Sequence, residues 1–426
     1  MAKIIVVGGG IGGIPMAYQL RDEIANEHQI TLLSDSPQFH FVPSNPWVAV
    51  NWRKREDIIV DIAAPITAKG ITFSSLGVRN IKPEQNSVVL NDDSELDYDY
   101  LVIATGSRLA FDEIEGLGPE QFTQSICHID HAEKSQIKWQ EFVKNPGPIV
   151  VGAAPGASCF GPAYEFAFIL DADLRKRKIR DQVPMTYVTP EPYIGHMGLD
   201  GVGDSKTLLE SEFRSRHIDW ITNAKITAVA EKTMHITECD EQGDDKKNHQ
   251  LPFNYAMILP AFTGVDAVRN IEEEGVVNPR GFTVADKYQR NPKYKNIYSV
   301  GVCVSIAPNK LTPVPTGVPK TGYMIESMVA AVVKNIAAEL KDEEPYAEAT
   351  WNAICFADMG DSGIAMVALP QIPPRNRSWS KKGKWVHYVK IAYEKFFLHK
   401  VRSGSTNPFY ERKVLSLLGI EKLKKR

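Results

Sequence analysis

Residues 3–35 read KIIVVGGGIGGIPMAYQLRDEIANEHQITLLSD: an apolar strand, a glycine turn, a helix by composition and a second apolar strand. Gly8, Gly10 and Gly13 fit G-x-G-x-x-G in the context that gives the pattern meaning, directly after a strand and opening a helix. Glycine permits the tight turn, lets a pyrophosphate approach the backbone and lets the helix pack close on the strand. The helix N-terminus adds N–H donors and a favourable dipole. The spacing predicts a dinucleotide site within a Rossmann-like domain.

An acid about 20 residues beyond the glycines ordinarily binds the ribose hydroxyls. Here the strand end TLLSD places Ser34 in that position and Asp35 beside it. Two later stretches favour FAD over a nicotinamide cofactor. YDYLVIATGS, residues 98–107, resembles the strand and A-T-G turn that close the FAD domain of two-dinucleotide-domain flavoproteins, with Thr105 and Gly106 at the turn. NIYSVGVC, residues 296–303, resembles their later strand, whose G-D lies against the flavin; Gly301 is present and Val302 replaces the acid.

IVVGAAPGASCF, residues 149–160, opens a second unit of the same kind. Laid on G-x-G-x-x-G-x-E from Gly152, the second and third glycines become Ala154 and Ala157, and the acid becomes Cys159. Each alanine puts a Cβ where a pyrophosphate would meet the backbone, which predicts poor nicotinamide binding. In the next strand, MTYVTPEPY, Thr189 stands at the adenosine-ribose position with Glu191 close by. Cys159 is predicted in a first helical turn, where the dipole stabilises a thiolate; the plainer alternative is a small buried hydrophobe.

The five cysteines, Cys127, Cys159, Cys239, Cys303 and Cys355, are widely spaced and lack the paired pattern of a zinc site, so no metal is expected. Around them the chain resembles the sulfide:quinone oxidoreductases nearly end to end. The resemblance rests on FVPSNPWVAVNWR, GASCFGPAYE, PYIGHMGLDGVGDS, PVPTGVPKTGYMIESM, WNAICFADMGD and GKWVHYVKIAYEKFF. It implies an FAD enzyme in which Cys159 and Cys355 form the redox pair. Sulfide would attack their bridge and leave a persulfide on one cysteine, assigned as Cys355, while Cys159 becomes the flavin-facing thiolate. Cys127 matches a third cysteine that in some members bonds to the flavin and in others assists sulfur transfer.

The resemblance also favours Glu165 as a proton relay over a polar residue on an outer helix face. Lys320 and Thr321 would begin a helix aimed at the flavin pyrimidine carbonyls. Phe356, Tyr393 and Tyr410 match quinone-pocket positions. His131 and His196 are weaker site candidates, Cys303 has no assigned role, and Cys239, in a polar stretch, reads as an exposed hairpin cysteine.

Composition is that of a globular protein, 43% hydrophobic and 24% charged over 426 residues. The net charge of −3 hides an asymmetry: residues 375–426 carry 15 Lys+Arg against 3 acids, leaving 34 against 49 before them. Within that basic end Trp385, Val389, Ala392 and Phe396 fall at helical spacing, flanked by Lys384, Lys390, Lys395 and Lys400. This predicts peripheral attachment to the cell (inner) membrane, on a face left open, with neither a leader nor a spanning helix expected. Without a recognised binding module, nucleic acid is not expected as a partner.

The expected architecture is α/β: two Rossmann-like dinucleotide-binding domains, glutathione-reductase-like, plus a C-terminal amphipathic membrane-associating region. Residues 1–110 and 295–345 would form the FAD domain, 111–294 the second domain with a degenerate nicotinamide site, and 346–426 the quinone- and membrane-associating region. Sulfide and a membrane quinone are the expected partners, with a homo-oligomer open. The alternatives are a type II NADH:quinone oxidoreductase, a flavocytochrome sulfide dehydrogenase flavin subunit, and a non-catalytic membrane-docking flavoprotein.

Overall fold

The computed structural model describes residues 1–406 and 421–424. Lys3–Val7 (β1), Gly13–Glu23 (α1) and Gln29–Leu33 (β2) are the unit read from residues 3–35. Thr72–Ser74 (β3) and Tyr100–Ile103 (β4) join β1 and β2 in parallel pairing. Four of the five residues of β1 are buried, as expected of a strand covered on both faces.

Ile129–Phe142 (α2) leads to a second parallel sheet made of Ile149–Ala153 (β5), Met185–Val188 (β6), Ile218–Ile221 (β7) and Tyr255–Leu259 (β8). Its order is β7-β6-β5-β8, with Gly161–Lys176 (α3) crossing from β5 to β6. The chain then returns, and Ile297–Ser299 (β9) pairs with β4 to give the first sheet the order β9-β4-β1-β2-β3. In open sheets of this kind ligands bind at the carboxyl edge, where strand order reverses. The loops after β1, β4 and β9 all lie on that edge.

The aliphatic helix Gly322–Glu339 (α4) packs on α1 and is followed by an antiparallel sheet of Ala353–Asp358 (β10), Gly363–Leu369 (β11) and Arg377–Gly383 (β12). The last described helix, Lys384–Ser403 (α5), is joined to the body along one face. Phe397 sits 5.6 Å from both Phe39 and Phe41, and Tyr18 donates its hydroxyl to the Val401 carbonyl at 2.9 Å.

Two expectations about charged and polar positions are corrected here. Lys390 and Lys400 do not lie on a solvated cationic flank of the last helix. Both are buried and ion-paired, Lys390 with Glu165 and Lys400 with Glu326. Cys239 is not exposed: it ends the strand Thr233–Cys239 at 2% exposure, its N–H donated to the Asn223 carbonyl at 2.9 Å. Polar sequence neighbours concealed an inward-facing strand position. Among the described residues no helix is long and apolar enough to cross a membrane.

Glu326 on α4 is clamped by Lys400 at 3.2 Å and Lys422 at 2.9 Å. Burial works to raise its carboxyl, but the two ammonium groups outweigh it and hold it at about 2. A carboxyl lowered in the folded state contributes stability that is complete above its ordinary value and lost as pH falls toward the lowered one. Glu326→Gln is therefore expected to cost about 3 kcal/mol near neutrality. It should also flatten the fall in melting temperature between about pH 5 and pH 3, as read in thermal denaturation scans across that range.

Candidate active site

The first glycine turn is built so tightly that no side chain fits in it. Gly8 has φ +119°, and a Cβ there would lie 2.3 Å from the Ala104 carbonyl oxygen; at Gly13 it would lie 1.7 Å from the Gly8 carbonyl oxygen. Gly10, by contrast, faces open space. Among the described residues no side chain caps the N-terminus of α1. Ser34 is buried beneath Gly9 and accepts from the Ser36 N–H at 3.2 Å, while Asp35 is exposed. After β4 the Thr105 hydroxyl is buried without a partner among the described residues, and Gly106 (φ +72°) faces open space. Gly301 follows β9 at φ +88°.

An open, Cβ-intolerant cradle, an uncapped helix start and an orphaned hydroxyl on one sheet edge fit FAD. Thr321 caps α4 by accepting from the Met324 N–H at 3.4 Å. The Lys320 ammonium lies 4.9 Å from the centre of the Phe282 ring. Burial pushes it down to about 8, against the upward pull of Cys303 and Cys159.

The second turn is organised differently. The Gly156 N–H donates to the Pro315 carbonyl at 2.7 Å, and the Gly317 N–H donates to the Ala157 carbonyl at 2.8 Å. The segment 313–319 thus lies across the turn and uses its backbone groups. Ala154 and Ala157 are both 1% exposed. A pyrophosphate would have to displace this crossing segment as well as meet two methyl groups. The local sequence showed the alanines; the crossing strap comes from some 160 residues away and left no local signal.

α3 begins at Gly161 with Phe160 as its cap, so Cys159 precedes the helix instead of lying in its first turn. Burial pushes Cys159 up to about 12, reinforced by Cys127 and opposed by Lys320. Burial raises Cys355 to about 12, with Cys159 adding to it, and Cys127 to about 11. The three thiols are half-buried, unbridged, and chained electrostatically with Cys159 in the middle. Cys355 reaches the same turn from β10: a Cβ on Gly161 would lie 3.2 Å from its sulfur and 3.9 Å from Met197 Cε.

Glu165, on the next turn of α3, is buried and paired with Lys390 of α5, whose ammonium lies 5.1 Å from the Trp47 ring centre. His131 Nδ1 lies 3.3 Å from the Ser125 hydroxyl, which also accepts the Cys127 N–H at 3.1 Å. His196 Nδ1 accepts from the Gly198 N–H at 3.2 Å. Phe356 is half-buried with its ring 6.5 Å from Trp385. Tyr393 packs on Phe41 at 5.7 Å and brings its hydroxyl to the start of α4, 3.1 Å from a Cβ placed on Gly322. Tyr410 lies outside the described residues. Cys303 is buried, its sulfur against the Val300 and Ile103 carbonyls at 3.2 and 3.3 Å. Among the described residues no group of three or more His, Cys, Asp or Glu is arranged to hold a metal ion.

The sequence placed Glu191 beside the adenosine-ribose position without giving it a role. It is fully buried, accepts three hydrogen bonds, and is raised by burial to about 7 in spite of them.

Comparison with known proteins matches residues 2–330 to the pyridine nucleotide-disulphide oxidoreductase family. The sulfide-quinone reductase of Aquifex aeolicus (strain VF5) is 45% identical over 419 residues, 98% of this chain and 95% of the relative. The X-ray structure of the sulfide:quinone oxidoreductase from Aquifex aeolicus superposes with a TM-score of 0.95 at 43% identity, covering 100% of this chain and 98% of that one. NDH2 from Plasmodium falciparum, solved with NADH, shares the fold at a TM-score of 0.70 and 15% identity, covering 99% of this chain and 100% of that one. An intact first dinucleotide cradle, a strapped-over second turn and Cys355 reaching the start of α3, together with these likenesses, place the chain in the sulfide:quinone oxidoreductase family of pyridine nucleotide-disulphide oxidoreductases.

Proposed function

We propose that the chain oxidises sulfide and reduces a membrane quinone, with FAD as cofactor and Cys159 and Cys355 as the redox pair. The observation that carries the pairing is the convergence of Cys355 on Gly161, two residues beyond Cys159. In the oxidised pair HS⁻ attacks the Cys355 sulfur. A new S–S bond forms there, the Cys159–Cys355 bond breaks, and its electron pair stays on Cys159 as a thiolate. The Lys320 ammonium, within electrostatic reach of Cys159, favours that charge. As the pair leaves the sulfurs, Cys159 bonds to the outer persulfide sulfur on Cys355; FAD, when bound, would supply the two-electron acceptor that passes the pair to quinone. The glycine turn, Thr105, Gly106, Gly301, Lys320 and Thr321 are the groups that would hold it. Glu165, tied to Lys390, sits where it can relay a proton between the cysteine side and α5. Phe356 and Tyr393 supply apolar and aromatic wall for the quinone.

The outward face of α5 supports peripheral attachment to the cell membrane. Trp385, Tyr388 and Val389 are 45%, 68% and 36% exposed, with Val42 at 36% and Lys381, Lys384 and Lys395 exposed as well. Buried aromatics and lysines near an anionic leaflet each contribute about 1 kcal/mol or more.

Three outcomes are expected. Cys159→Ser and Cys355→Ser should each abolish sulfide-dependent reduction of a soluble quinone analogue; unchanged turnover in either would sink the pair. Gly13→Ala forces a Cβ onto the Gly8 carbonyl, an overpacking cost of about 3 kcal/mol. That is about a hundredfold in flavin affinity, read as the 450 nm absorbance retained per protein after gel filtration. Tyr388→Ser with Val389→Ser should weaken co-sedimentation with anionic liposomes by about tenfold. Undiminished sedimentation would show that this face does not dock.

A further inference from the structure

In a second Rossmann unit the acid near the end of the second strand ordinarily faces the adenosine ribose. Here that acid has turned inward. Glu191 lies three residues past β6 at 0% exposure, and both carboxylate oxygens are engaged by the protein. Oε2 accepts from the Thr189 hydroxyl at 2.7 Å and the Tyr164 hydroxyl at 2.8 Å; Oε1 accepts from the Met197 N–H at 2.6 Å. The Tyr164 oxygen in turn accepts from the Gly195 N–H at 2.9 Å. One carboxyl and one phenol therefore hold both sides of the 195–197 turn.

That turn opens a loop that local preference would not keep folded. Between 195 and 203 the backbone is left-handed at Gly195, Met197, Gly198, Asp200, Gly201 and Gly203; Met197 (φ +61°) and Asp200 (φ +60°) are not glycines. Such conformations persist only where the surroundings impose them. Further fasteners are the Ser205 hydroxyl, which donates to the Gly195 carbonyl at 2.6 Å, and Arg375 at the far end, which donates to the Gly201 and Leu199 carbonyls at 2.7 and 2.5 Å.

The near end rests on the cysteines. Met197 Cε and Cys355 Sγ crowd the same point above Gly161. Gly198 presses so closely on the 313–319 strap that a Cβ would lie 2.3 Å from the Gly317 carbonyl oxygen. The Met197 side chain is thus a wall beside the Cys355 sulfur, and Glu191 holds the backbone from which it hangs.

We propose that Glu191 is a positioning residue that makes the site selective for a small sulfur nucleophile, by fixing Met197 as the wall that admits HS⁻ to Cys355 and screens out larger thiols. This rests on Cys159 and Cys355 being the redox pair. A larger thiolate RS⁻ reaching the bridge would form an RS–S bond on Cys355 and release the Cys159 thiolate; a second RS⁻ then frees Cys355 as RSSR, and the Cys159–Cys355 bond re-forms as the electron pair leaves for the flavin, so both nucleophiles end in flavin reduction.

The test uses the FAD-loaded enzyme under anaerobic conditions and compares second-order rates of flavin bleaching by sulfide and by 2-mercaptoethanol. In Glu191→Gln, where an NH2 replaces one accepting oxygen, the thiol-to-sulfide rate ratio should rise about tenfold. kcat/KM for sulfide should fall by a similar factor, and KM for a soluble quinone should stay unchanged. Met197→Gly provides the second variant: glycine suits the left-handed backbone, so the loop is retained while the wall is deleted, and the ratio should rise as in Glu191→Gln. A ratio within about twofold of wild type in either variant overturns the proposal. Equal losses for both nucleophiles and quinone, with a lowered melting temperature, overturn it too, because they indicate only a weakened fold. Full activity in Cys355→Ser refutes the redox pair instead, which keeps that failure separate.

Discussion

Cys355 reaches the turn that carries Cys159 because residue 161 has no side chain. A Cβ there would lie 3.2 Å from the sulfur and 3.9 Å from Met197 Cε. β10 brings the sulfur in, α3 starts beneath it, the 313–319 strap crosses the preceding turn, and the 193–203 loop closes over the side. The same dense packing determines the thiol chemistry. It leaves Cys159 and Cys355 neutral at ordinary pH, with their acidities displaced to about 12.

The C-terminal elements belong to this packing. Two helices near the first sheet and the cysteines are tied to α5 by buried ion pairs, Glu165 to Lys390 and Glu326 to Lys400. Buried pairs of this kind are poor sources of stability, since desolvation consumes much of the Coulombic gain, but losing one partner is costly because the other is left charged and unpaired. Their effect is to fix register. With Lys390 and Lys400 committed inward, Trp385, Tyr388 and Val389 are left on the opposite face.

What the sequence made legible follows from how local each signal is. Gly8, Gly10 and Gly13 act within one turn, so spacing alone located the first cradle. The altered second turn was visible in Ala154 and Ala157, yet the strap that covers it was not, because a hydrogen bond from Gly156 to Pro315 leaves no periodicity. The proposed pairing of Cys159 with Cys355 starts from family resemblance, since no spacing rule connects residues so far apart. Lys390 and Lys400 were misread because a helical wheel counts charges without knowing what lies opposite. Cys239 was misread because composition is a weak guide to which face of a strand turns inward. Glu191 stood in plain view beside Thr189; its role depends on Tyr164 and Met197, which only folding brings to it.

The raised thiol acidities also bear on which cysteine chemistry suits this site. A free thiolate nucleophile would need a lowered value, and at the half-buried Cys159 desolvation raises it instead. In the proposed reaction that demand does not arise. HS⁻ arrives already ionised, and what the protein must supply is an accessible sulfur and a leaving thiolate that is not too costly. Lys320 addresses the second requirement, being the cation that opposes the burial of Cys159. Its own ammonium is depressed to about 8 by the same burial, so a thiolate forming nearby restores the charge balance of both. A nicotinamide enzyme of this fold uses the second turn to hold a hydride donor. Here the turn is strapped shut, and the space beside it is given to sulfur.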